Sequence, residues 1–118
     1  MLPPLYTVLA AAPAVAAIVA DRIYPHGEAP QDVTRPYIPW QMINGTPENN
    51  LSDLPDIDRC ALQINCWHPT GAGVVQLATA ARAAVEPHGH VTGVPVNQRE
   101  PETRLYWIAI QMDWLLHR

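Results

Sequence analysis

Two cysteines, a pair of histidines around a glycine, and a run of carboxylates are the groups in this chain with chemistry to offer. Cys60 and Cys66 lie six residues apart in Ile57 to His68, a stretch that alternates apolar and polar residues. On an extended strand they are separated by roughly 20 Å, at about 3.3 Å per residue, which is beyond disulfide reach. They are expected to stay free, as small buried hydrophobes of a reducing compartment, with a thiol nucleophile or metal ligand as the lesser alternative. His88 and His90 flank Gly89 and invite a metal reading, but two loop ligands are too few and no third stands at a suitable spacing. Glu48, Asp53, Asp56 and Asp58 crowd one stretch that lacks the alternating oxygen ligands and central glycine of a calcium loop. Gly71-Ala72-Gly73 precedes a helical pattern without the lysine-serine ending of a phosphate loop.

No nucleophile motif, carboxylate pair at a defined spacing, dinucleotide fingerprint or zinc quartet is present. His68 and His117 fall near strand ends, with no partner for acid-base work. The expectation is therefore a protein with no catalytic residues, no metal and no cofactor.

The elements that would position these groups can be laid out from periodicity. In Ile57 to His68 the alternation puts Cys60, Leu62, Ile64 and Cys66 on one face, and Arg59, Ala61, Gln63, Asn65 and Trp67 on the other. Leu105 to Trp114 repeats the pattern: Tyr106, Ile108, Ile110, Met112 and Trp114 oppose Leu105, Trp107, Ala109, Gln111 and Asp113. Two further strands are expected at Tyr37 to Asn44, where Pro39 favours an edge or a bulge, and at Val91 to Gln98, interrupted by Pro95. Leu5, Val8, Leu9 and Ala12 recur at helical spacing until Pro13, and Ala14 to Ala20 follows as a second short helical piece. Asp21 to Pro25 then returns to extended structure. Gly73 to Glu86 is an amphipathic helix with Val74, Leu77, Ala78, Ala81 and Val85 as its stripe, and Arg82 and Glu86 pair across one turn. Thr46 to Asp56 is expected to protrude as a loop. The fold class is α+β: a four-stranded, largely antiparallel sheet with helices packed on one face, in the order αββαββ.

A chain of 118 residues fits one domain with a small core, so residues 1–118 are expected to form a single unit. Charged residues are sparse at 15%, prolines number 13, and every basic residue is an arginine. A sparsely charged surface suits a subunit that buries much of itself in an assembly. The net charge of −4, with its arginines scattered, argues against gripping nucleic acid through phosphates. Residues 2 to 20 carry no charge, but they lack a basic leader and contain Pro13, so no membrane role is expected. Trp67 and Trp107 sit opposite the aliphatic stripes. Either they cover a second small core or they form a protein interface, where tryptophan is enriched.

A succession of short segments resembles a known family. Ala12-Pro13-Ala14-Val15-Ala16-Ala17-Ile18-Val19, Asp21-Arg22-Ile23-Tyr24-Pro25, Arg35-Pro36-Tyr37-Ile38, Gly45-Thr46-Pro47 and Gln63-Ile64-Asn65-Cys66-Trp67 follow one another in an order and spacing similar to the small tail-completion or tail-terminator proteins of long-tailed bacteriophages. The resemblance spans nearly the whole chain. The proline-rich stretch Gly27 to Pro36 and the His88-Gly89-His90 turn depart from it.

The resemblance implies a virion protein that forms a ring, usually a homohexamer, on the head-proximal end of the tail tube. Its partners would be other copies of itself, the tail tube protein and the head-tail connector proteins, with DNA passing through without specific binding. It implies a small sheet with helices on one side and brings no catalytic residues. A channel that passes DNA should repel phosphates, so Glu48, Asp53, Asp56, Glu100 and Glu102 are the expected lumen-facing acids. Arg59, Gln63, Trp107 and Gln111, on the sheet face opposite the core, are the expected oligomer contacts. The alternatives are a joining protein on the capsid side of the head-tail junction, or a small soluble bacterial binding module using the cysteines or histidines.

Overall fold

A computed structural model describes residues 4–25, 33–47 and 57–117, with 44–47, 57–59 and 116–117 as backbone alone. Helices α1 (Leu5–Ala11) and α2 (Pro13–Val19) come first. Ala12 between them is extended, because Pro13 disfavours a helical residue before it while itself suiting the first position of the next helix. Strands β1 (Ile23–Pro25), β2 (Ile38–Pro47) and β3 (Ile57–His68) follow, then helix α3 (Gly71–Val85), a single 3-10 turn (Glu86–His88), and strands β4 (Gly89–Arg99) and β5 (Tyr106–His117).

The sheet has five strands in the order β1-β2-β3-β5-β4. β1 pairs parallel with β2 and every other pairing is antiparallel. The expected four strands are thus joined by a fifth, and the order is ααβββαββ in place of αββαββ. The added strand is the Asp21 to Pro25 segment, which at three paired residues is too short to carry a period of its own. Other boundaries also move. α3 starts two residues before Gly73 because the hydroxyl of Thr70 caps it, accepting from Gly73 N–H at 3.0 Å. Thr46 and Pro47 belong to β2 through pairing with Arg59 and Asp58, and β4 begins at Gly89.

The core lies between one sheet face and the three helices. Cys60, Leu62, Ile64 and Cys66 of β3 and Ile108, Ile110, Met112 and Trp114 of β5 are all buried, as their alternation predicts. The helical stripe Val74, Leu77, Ala78, Ala81 and Val85 meets them, with Leu5, Leu9, Val15 and Val19 from the first two helices. Burying each large aliphatic side chain contributes about 1.5–3 kcal/mol, so this layer is the main source of stability.

Two polar devices fix how the helices meet the sheet. Arg22 ties α2 to the approach of β2: its Nε donates to Pro36 O at 2.8 Å and its guanidinium to Ile18 O at 3.2 Å. The second bond serves one of the carbonyls that a helix end leaves without a partner. At the β3–α3 junction, Thr70 N–H donates to His68 Nδ1 at 3.0 Å. The His68 ring lies over Gly73, where any Cβ would overlap it.

Candidate assembly surface

All three helices cover the same sheet face, and the opposite face is built by cross-strand register. Tyr37, Trp67 and Trp107 stand in one row, since Tyr37 bridges to Trp67 and Trp67 pairs with Trp107. Trp67 and Trp107 stack with ring centroids 4.9 Å apart and planes 13° from parallel. Tyr37 continues the stack at 6.5 Å, and Tyr24 of β1 closes it edge-on at 6.5 Å. The separation of the two tryptophans matches the strand spacing, so the rings stand upright with their faces turned toward one another. What they offer outward is ring edges.

A second row runs parallel to the first. Gln41, Gln63 and Gln111 are in register across β2, β3 and β5. Asn65 joins the rows, its Oδ1 accepting from Gln63 Nε2 and from Trp107 Nε1, each at 3.0 Å. The polar groups of this face are largely satisfied within the subunit, leaving a half-buried surface of aromatic edges and amides. Ala109 is fully buried, although it lies on this face beside Asn65. Burial raises the pKa of the Tyr37 hydroxyl, an effect the Arg35 charge partly opposes.

Of the expected contact residues, Gln63, Trp107 and Gln111 are brought together on this face. The backbone of Arg59 pairs with Thr46 and Leu115; its side chain lies outside the described residues. Tyr37 and Asn65 complete the surface, and only the register could have singled them out. Among the expected lumen acids, Glu48, Asp53 and Asp56 lie outside the described residues. Glu100 and Glu102 are in the β4–β5 turn, and the Glu100 carboxylate accepts from Thr103 Oγ1 (2.6 Å), Thr103 N–H (2.7 Å) and Glu102 N–H (3.1 Å). These bonds, that from the Thr103 hydroxyl foremost, hold its pKa below the ordinary 4.5.

The groups with potential chemistry are dispersed. Cys60 and Cys66 form no disulfide and are buried, and burial pushes the Cys66 thiol up to about 12, leaving it inert. His88 stacks on Trp114 at 4.8 Å, a packing contact. Among the described residues no three His, Cys, Asp or Glu side chains converge on a metal site, and no helix is long and apolar enough to cross a membrane.

The fold, a five-stranded sheet with helices on one face, has a counterpart among solved structures. It is similar to one chain of a solved structure described as the virion of a native gene transfer agent (GTA) particle, with a TM-score of 0.67 and 14% identity, covering 97% of this chain and 92% of that one. No curated protein sequence matches the chain. The family model of tail completion protein gp17 matches residues 3–117, and the chain belongs to that family. It is a phage tail structural protein, as the resemblance of its short segments implied.

Proposed function

We propose that this protein forms a ring, most simply a homohexamer, on the head-proximal end of a phage tail tube, where it ends tube polymerisation and offers the joining surface for the head connector. Family membership over residues 3–117 carries this proposal. The upright Tyr37–Trp67–Trp107 stack supports it, as a preorganised surface of the kind assemblies bury. The protein acts without catalysis, in the virion after assembly in the host cytoplasm.

The open sheet face serves as an assembly contact through Gln63, Trp107 and Gln111, with Arg59 on the same strand. Glu48, Asp53, Asp56, Glu100 and Glu102 face the lumen, where their charge keeps passing DNA from adhering. Of the two turn acids, Glu102 is the freer, since Glu100 is engaged in the turn.

Light scattering of the purified protein, with and without its tail-tube subunit, tests the proposal. A hexamer, or a monomer that becomes a ring on tube ends and limits their length, supports it. A monomer indifferent to tubes refutes it, and co-purification with head connectors in place of tubes would move the protein to the capsid side of the junction. Trp107→Ala should disperse the rings while the monomer stays folded.

A further inference from the structure

The open face does not say how successive copies are ordered; the flanks of the sheet do. β2 and β4 lie on opposite sides of the central strands, about 14 Å apart at three strand spacings. Each carries a bulge, and β4 a further register shift between Val91 and Gly93. On β2, register passes from Met42–Leu62 to Asn44–Ala61, so Ile43 has no residue opposite it on β3. On β4, register passes from Gly93–Gln111 to Val96–Ala109, so Val94 and Pro95 together oppose the single residue Ile110. Both bulges turn a β-branched aliphatic side chain outward, Ile43 at 49% and Val94 at 46% exposure.

The two flanks differ in shape. Beyond Trp40, β2 has no outer strand partner among the described residues, and Met42 and Ile43 project from it as an apolar ridge. On the other flank a groove of about 210 Å³ lies between α3 and β4, lined by Val75, Ala78, Val94, Ile108 and Ile110 together with the polar Thr79, Arg82 and Asn97. Val75 is itself 53% exposed. One edge offers an apolar protrusion and the opposite edge a recess whose lining is mainly apolar. Bulged edges also oppose continuation of the sheet by backbone pairing, so the contact they favour is between side chains.

We propose that the Met42–Ile43 ridge of one copy seats in the α3–β4 groove of the next. Every copy then gives one ridge and receives one, a head-to-tail junction that closes into a ring when the rotation between copies is right. The occupant of the groove is a second copy, because the complementary ridge is on the same molecule, on the opposite edge of the same sheet. The proposal rests on the ring function above and adds the junction and its polarity.

The test uses Ile43→Asp and Val94→Asp, both at exposed positions, with near-native circular dichroism as the check on folding. Each alone should raise the concentration for half-assembly at least about tenfold, the effect of losing roughly 1.4 kcal/mol at one junction. Mixed together, the two variants should form 1:1 dimers and nothing larger, since only the ridge of V94D and the groove of I43D remain intact. As a second measurement, the double variant I43C/V94C should oxidise to a covalent ladder ending at the ring size. A mixture of I43C with V94C should stop at a cross-linked pair. Rings that form normally in both aspartate variants, with no ladder from I43C/V94C, would overturn the junction while leaving the ring standing. A wild type that never self-associates, with or without tube subunits, would overturn both.

Discussion

Asn65 Oδ1 accepts the indole N–H of Trp107 at 3.0 Å across 42 residues of chain, and the same oxygen accepts Gln63 Nε2. One amide thus fixes the orientation of the outermost ring in the stack and of the neighbouring glutamine. Replacing Asn65 by leucine removes both bonds and leaves the half-buried indole N–H without its acceptor, which should cost about 1–2 kcal/mol. Asn65→Asp keeps the acceptor and should cost less. Urea midpoints at constant slope would rank them, and equal loss in the two variants would show that the bonds carry no weight.

The His68 ring approaches Gly73 closely where β3 gives way to α3. Gly73→Ala pushes the imidazole off Thr70 N–H and should destabilise by about 1–3 kcal/mol, despite the better helix propensity of alanine. In a His68→Ala background the overlap is gone, and the same substitution should become neutral or favourable. A double-mutant cycle measures this coupling directly.

Gly89 should be less forgiving still. Its φ of 173° suits any residue, but a Cβ there would overlap the carbonyl oxygen of Asp113, a backbone atom that cannot swing aside. Gly89→Ala should therefore cost more than Gly73→Ala, about 3 kcal/mol, and loosen the start of β4. Hydrogen exchange at the β4–β5 pairs next to Trp114 would report the opening.

Acid should act on the β4–β5 turn through Glu100. Its folded pKa lies below the ordinary 4.5, so the bonds from Thr103 and Glu102 support the fold above that value. The support fades as pH falls through the lower, folded-state pKa. A carboxyl titration by NMR should place Glu100 below the usual glutamate range, and Thr103→Val should move it back upward. An unshifted Glu100 would remove the turn from any account of acid sensitivity.

The thiols offer a probe of global opening. With Cys66 raised to about 12 and both side chains buried, native protein should resist a thiol reagent at neutral pH and react at two sites once unfolded. Fast labelling of the native state would mean that β3 opens locally.

The two long central strands were legible because strict alternation over a dozen residues has one physical meaning, and Leu62, Ile64, Ile110 and Met112 lie where it puts them. The stripe on α3 was legible for the same reason. β1 was not, since three residues pairing parallel with β2 leave no period to detect. The open face could be read only in half. Trp67 and Trp107 declare themselves by opposing the core, but Tyr37 joins them through an isolated bridge. Asn65 becomes their anchor only once β3 and β5 are aligned. The bulges at Ile43 and Val94 were hidden because a bulge is a mismatch between two strands, and neither strand alone shows it.

The pairing of β3 with β5 also sets a clock. Ile57 lies opposite His117, so the middle of the sheet joins a strand from midway along the chain to one made after every other element described. Non-local pairing of this kind folds slowly, on the order of milliseconds to seconds for small domains. Ile108 and Ile110, which floor the groove beside α3, arrive with that strand. Under the proposed junction, a chain whose β5 has not yet paired can display its ridge but has no recess to offer, so the receiving half of each junction forms later than the giving half.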